Sequence, residues 1–177
     1  MKYGEGSFNQ GSDAKKTVTA IFAAGCFWGV QNYFDQVLGV LETEVGYIGG
    51  HQDNPTYEQV CTHRTGHAEA TKVVFDPEKV SYHTLLKQFF RMHDPTQLNR
   101  QGPDVGDNYR SAIFYFDDKQ KAEAEKMIKQ LNESGRYKEP IVTTLEPAMK
   151  FWPAEDYHQK YTEKTGIGAC HIDYAPA

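Results

Sequence analysis

A chain of 177 residues fits one domain of ordinary size, able to bury about two thirds of the surface its unfolded form exposes. Its formal charge of -5 at pH 7 excludes nucleic acid as a main partner, because phosphate recognition needs a basic excess, and Lys119, Lys121, Lys126 and Lys129 alternate with Glu123 and Glu125 as on a solvated helix face. No stretch approaches the roughly 18 apolar residues of a membrane span, and the polar first 16 residues lack the apolar run of a secretory signal, so a cytoplasmic, monomeric protein away from the membrane is expected.

Residues 17–23 (TVTAIFA) are apolar and rich in β-formers, and predict a buried strand. Phe27, Val30, Phe34, Val37 and Leu38 follow with helical spacing, stopped by Gly39. A strand over 40–47 closes on Gly49-Gly50, and another over 70–75 closes on Asp76-Pro77. Ser81 can cap a helix carrying Leu85, Leu86, Phe89 and Phe90. A strand over 109–116 leads to Asp117 or Asp118 as the cap of a helix with Ala124, Met127, Ile128 and Leu131 on one face. A short strand over 141–145 and a helix over 154–164 complete the order. Helices interleaved with short strands predict an α+β fold, a two-layer ferredoxin-like core whose mixed or antiparallel sheet is covered by helices. A doubly wound sheet is the second choice. The domain organisation is a flexible arm over 1–16, a catalytic domain over 17–164 and a tail over 165–177. The long segments 46–66 and 93–108 are rich in Gly, Pro, Asn and His, and loops of that length in a compact domain tend to carry function.

The three cysteines, Cys26, Cys61 and Cys170, are too few for a disulfide framework, and no C-x-x-C pair is present, so reduced or redox-active thiols are expected. Cys26 lies where the first strand hands over to the first helix. Unpaired backbone N–H groups and the helix dipole favour a thiolate there. The competing role is a small buried core cysteine. Phe27 and Trp28 serve either as core or as walls of an apolar pocket beside the sulfur.

Gly25-Cys26-Phe27-Trp28-Gly29 resembles the signature of A-type methionine sulfoxide reductases. The resemblance continues through Gly46-Tyr47-Ile48-Gly49-Gly50, through residues 54–61 and 65–70, and through His93-Asp94-Pro95-Thr96. It extends over Gln101-Gly102-Pro103-Asp104, Tyr109-Arg110-Ser111-Ala112-Ile113 and residues 151–159 (FWPAEDYHQ). Eight blocks in one order are far more specific than any single motif. The resemblance implies an enzyme that reduces methionine S-sulfoxide, free or in proteins, with no cofactor and no metal. It makes Cys26 the nucleophile that becomes a sulfenic acid, and Glu69 the acid for the sulfoxide oxygen. Tyr57 and Tyr109 are implied as further donors to that oxygen, Asp104 as a residue ordering the site, and Phe27 and Trp28 as the niche for the methyl group. It implies Cys170 as the resolving thiol and thioredoxin as the reductant of a Cys26–Cys170 disulfide. No cysteine follows Cys170, so one resolving thiol is expected, with Cys61 not needed for the chemistry.

Two other readings of the same residues exist. Cys26 paired with one of the seven histidines, of which His51, His63 and His67 share the long loop with Tyr57, would suit a cysteine hydrolase or acyl transferase. Cys61, His63 and His67 would suit a metal-binding module, although a second ligand pair at zinc spacing is missing.

Overall fold

In a computed structural model, which describes residues 16–167, eight strands and five α-helices follow one another along the chain. They are β1 (Val18–Ala24), α1 (Phe27–Asp35), β2 (Val40–Ile48), α2 (Tyr57–Val60), β3 (Ala68–Phe75), α3 (Tyr82–Met92), β4 (Arg100–Gln101), β5 (Asp104–Val105), β6 (Ser111–Tyr115), α4 (Asp118–Glu133), β7 (Thr144–Pro147), β8 (Trp152–Pro153) and α5 (Tyr161–Thr165). Six strands form one sheet in the order β7-β6-β1-β3-β2-β8. The central four, β6-β1-β3-β2, are antiparallel neighbours, and with α1 and α3 they make the β-α-β-β-α-β arrangement of a ferredoxin-like core. β7 adds a parallel strand to β6, and β8 an antiparallel one to β2. The sheet is therefore mixed, and the fold is α+β as the sequence predicts. β4 and β5 make a separate small hairpin.

Side chains of a strand alternate between faces, and β1 shows it directly. Ala20, Phe22 and Ala24 join the large core under α1, α3 and α4, while Ile21 and Ala23 join a smaller cluster on the opposite face. In the large core Phe22 stacks on Phe34 and Phe89, with ring centroids 5.2 and 5.3 Å apart. The same alternation along β3 puts Val73 and Phe75 in the large core and Ala68 and Ala70 on the opposite face. Glu69 shares the parity of Val73 and Phe75, and so faces the layer that α1 covers.

Caps fix the two long helices. Ser81 Oγ accepts the Thr84 N–H at 3.0 Å, and Asp117 Oδ1 accepts the Gln120 N–H at 2.8 Å. Several boundaries differ from the sequence reading. α1 ends at Asp35, because the chain tightens over Gln36 and Val37 before Gly39 turns at φ +99°, which leaves Leu38 exposed. β3 begins two residues earlier than predicted, which brings Glu69 into the strand. The fourth predicted strand starts at Ser111, since residues Asp107–Tyr109 form a 3-10 turn. β7 occupies Thr144–Pro147 rather than 141–145.

The predicted helix over 154–164 is not formed as one element. A 3-10 turn over Asp156–His158 and the short α5 replace it. Gln159 between them spends its amide on Val45, accepting its N–H and donating to its carbonyl, both at 3.0 Å. Lys160 then adopts the left-handed conformation at φ 58° and ties Asp35 with its ammonium at 2.7 Å. Tertiary contacts thus outweigh local helix propensity. Proline terminates both sheet edges, Pro147 on β7 and Pro153 on β8. No helix among the described residues is long and apolar enough to cross a membrane.

Candidate active site

Gly25, at φ +93°, turns the chain out of β1, and Cys26 caps α1 in non-helical geometry, half-buried. The first N–H of that helix, on Phe27, donates to Glu69 Oε1 at 3.3 Å. The β3 carboxyl is thereby brought against the residue next to the thiol. Glu69 is 1% exposed. Its other oxygen accepts the Asn108 amide at 3.4 Å, and Asn108 Oδ1 contacts His63 Nδ1 at 2.8 Å. Burial pushes the Glu69 carboxyl from near 4.5 up to about 8, against the Phe27 and Asn108 donors that favour the charged form, with repulsion from Asp104 adding to the rise. A group so placed holds its proton at neutral pH.

Tyr57 opens α2 and Tyr109 closes the 3-10 turn before β6. Burial raises both phenols above their ordinary range, and the charge of Glu69 raises each further. Tyr109 also feels Cys61, Asp104 and Cys26, and Tyr57 is hydrogen-bonded to Cys61. Tyr109 is therefore within electrostatic reach of Cys26, Glu69, Tyr57, Asp104 and Cys61. Asp104 is half-buried on the β4–β5 hairpin.

Phe27 is buried against Tyr47 and His158, with centroids 5.7 and 5.3 Å apart. Trp28 is half-buried, stacked at 4.0 Å on Tyr161. These rings, with Tyr57 and Val60, form an aromatic cluster at the start of α1. Cys170 lies outside the described residues.

Three residues that sequence reasoning missed shape this site. Asn108 holds Glu69. Glu155 accepts the Tyr57 N–H and the Tyr47 hydroxyl, each at 2.9 Å. His158 accepts the Trp28 indole N–H at 2.8 Å. The last two fall in the block over 151–159, and only that block marked them. For His67 the alternative roles find no support. His67 Nδ1 accepts the Gly50 N–H and its Nε2 meets the Gln52 carbonyl, so both nitrogens are occupied in folding the loop. Among the described residues Cys61, His63 and His67 do not gather into a metal site.

A half-buried thiol at a helix start, beside a carboxyl that keeps its proton and two intact phenols, marks the class: an enzyme that attacks an electrophile while protonating it. A family model for peptide methionine sulfoxide reductase matches residues 18–177. The chain is 59% identical over 148 residues to MsrA of Methanosarcina mazei, covering 84% of this chain and 70% of that one. It is 56% identical over 153 residues to MsrA of Methanothermobacter thermautotrophicus, covering 86% and 90%. Reduced Mxr1 from Saccharomyces cerevisiae has the same fold, with a TM-score of 0.85 at 31% identity over 92% of this chain and 94% of that one. Methionine sulfoxide reductase A of Corynebacterium diphtheriae follows, with a TM-score of 0.75 at 36% identity, covering 89% and 84%. The chain belongs to the peptide methionine sulfoxide reductase family, and it is an oxidoreductase that returns methionine sulfoxide to methionine.

Proposed function

We propose that this chain reduces the S epimer of methionine sulfoxide, free or in exposed protein segments, by attack of the Cys26 sulfur on the sulfoxide sulfur. The observation that carries the proposal is the buried Glu69 carboxyl held against the residue next to Cys26, where burial favours its protonated form. The sulfoxide oxygen is a poor leaving group until it is protonated. Glu69 supplies that proton, while the hydroxyls of Tyr57 and Tyr109 donate to the same oxygen as charge develops on it. Asp104 orders this polar side, and Phe27 and Trp28 enclose the methyl group. The oxygen passes to Cys26, giving methionine and a sulfenic acid.

Cys170 then attacks the sulfenic sulfur, water leaves, and a Cys26–Cys170 disulfide forms. A thioredoxin dithiol reduces this disulfide and becomes oxidised in turn. Yeast Mxr1 has also been solved in complex with Trx2, which supports this choice of reductant. The scheme fits a monomer repairing oxidised proteins in the cytoplasm, with Cys61 as a bystander thiol.

Purified protein with a small dithiol should turn over methionine S-sulfoxide and leave the R epimer untouched. Cys26→Ser should abolish the reaction. Turnover by the serine variant, or equal turnover of both epimers, would overturn the scheme.

A further inference from the structure

We propose that His63 is a positioning residue: its ring holds the Asn108 side chain so that an amide N–H, and not the amide oxygen, faces Glu69. The inference rests on Glu69 being the acid of the reaction.

Asn108 is fully buried, and its side chain bridges two groups. Its Nδ2 lies 3.4 Å from Glu69 Oε2, and its Oδ1 lies 2.8 Å from His63 Nδ1. An amide turned end for end keeps nearly the same shape, so its neighbours decide which end faces which. Glu69 cannot decide. As a carboxylate it accepts from the amide nitrogen, and as an acid it can donate to the amide oxygen. The decision falls to His63. An amide oxygen only accepts, so this orientation needs a proton on Nδ1. Asp107 gives the reason for that proton. Its Oδ1 is buried without a hydrogen-bond partner among the described residues and lies 4.0 Å from His63 Nδ1, where negative charge favours an N–H over a lone pair.

The backbone is bent to make this contact. His63 adopts the left-handed conformation at φ 64°, uncommon for a residue with a side chain, and a Cβ at Gly106 would overlap both the His63 ring and Asn108 Oδ1. The ring is exposed, so core packing does not account for that backbone. Other groups face Glu69 as well: Asp104 from β5, Tyr47 from β2, Tyr57 and Cys61 from the α2 segment, and Tyr109 from the 3-10 turn. The Phe27 N–H donates from α1, next to the Cys26 thiol. All of these stay when His63 is changed, so the proton affinity of Glu69 then reports the Asn108 amide. An N–H fixed toward Glu69 offsets part of the rise that burial imposes. It also stabilises the carboxylate left once the proton has gone to the sulfoxide oxygen.

The test follows methionine released in a single turnover of the full chain with methionine sulfoxide, across the basic limb of the pH profile. It compares the parent with His63→Gly, His63→Asn, and Asn108→Ala with and without His63→Gly. Glycine accepts the left-handed backbone without the ring. Asparagine accepts it too, and carries an amide nitrogen where Nδ1 stood. In His63→Gly the limb should move up by about half a pH unit and the maximal rate should fall about threefold at an unchanged half-saturating concentration, the size of effect expected for weakening one hydrogen bond. His63→Asn should recover most of both. In the Asn108→Ala background, or Asn108→Ser if that variant fails to fold, removing His63 should change neither. A limb that stays in place in His63→Gly overturns the proposal, and so does an asparagine variant as shifted as the glycine one. An equal shift in the Asn108→Ala background overturns it too, since His63 would then act on Glu69 without the amide. If Glu69→Gln keeps the limb, the acid reading itself falls. If Glu69→Gln loses the limb and His63→Gly does not move it, only the role of His63 falls.

Discussion

Glu69 is a carboxyl kept neutral by its surroundings, and this has a cost that varies with pH. Between about 4.5 and about 8 the folded chain holds a proton on Glu69 that the unfolded chain has released. Stability therefore falls as pH rises through that window and levels off above it. Glu69→Gln cannot ionise, so its denaturant midpoint should fall less between about pH 5 and about pH 9 than that of the parent. Parallel declines in the two proteins would show that Glu69 does not titrate in this range. The parent's reductive step should slow as pH passes about 8, where the acid loses its proton, and that limb should vanish in Glu69→Gln. At this scale the sequence was informative about Cys26 and Glu69 because their neighbours form contiguous blocks. Asn108 escaped notice because its work is done across 39 residues of chain, through an amide that any turn asparagine also carries.

Among the elements, strands were the easiest to read. Their runs are short, apolar and bounded by Gly or Asp-Pro, and the alternation along β1 and β3 then decides which face each side chain takes. Helix ends over loops were harder. α2 has only four residues and no hydrophobic repeat. The local signal it does carry, which the reading of 46–66 as a loop passed over, is the Thr56-x-x-Gln59 capping box, in which Thr56 Oγ1 accepts the Gln59 N–H at 3.2 Å and Gln59 Oε1 accepts the Thr56 N–H at 3.0 Å. This box holds the turn that presents Tyr57. Thr56→Ala should cost about 1 kcal/mol of stability and lower kcat/KM several-fold, and Thr56→Ser should recover most of both. Thermal melts with steady-state kinetics test this; a full loss of stability with unchanged kinetics would detach the cap from the site. The segment over 154–164 misled for the opposite reason. Its composition suits a helix, but Gln159 and Lys160 spend their side chains on Val45 and Asp35, contacts that no local pattern encodes.

For the molecule as a whole, the proposed nucleophile and acid, Cys26 and Glu69, sit in the folded core, while the proposed resolving thiol, Cys170, lies outside the described residues. A Cys170→Ser enzyme should still turn over with a small dithiol that reaches Cys26 directly, and should turn over poorly with thioredoxin. Equal thioredoxin-driven rates in the two proteins would point to Cys61, whose sulfur already meets the Tyr57 hydroxyl, or to direct reduction of the sulfenic acid. The ferredoxin-like order was legible from the alternation of elements. The strands β7 and β8 that extend it were misplaced or missed, since four and two residues carry too little pattern.

The prolines that close those two outer strands matter for an enzyme that acts on oxidised methionine in other polypeptides. An open sheet edge offers a row of backbone donors and acceptors on which a loose segment can add as a further strand and seed aggregation. Pro147 and Pro153 each remove an N–H from such a row, and both outer strands are too short to template a partner. Contact with a client chain is thereby steered away from the rim of the sheet, and a damaged polypeptide can be engaged through one side chain and then released.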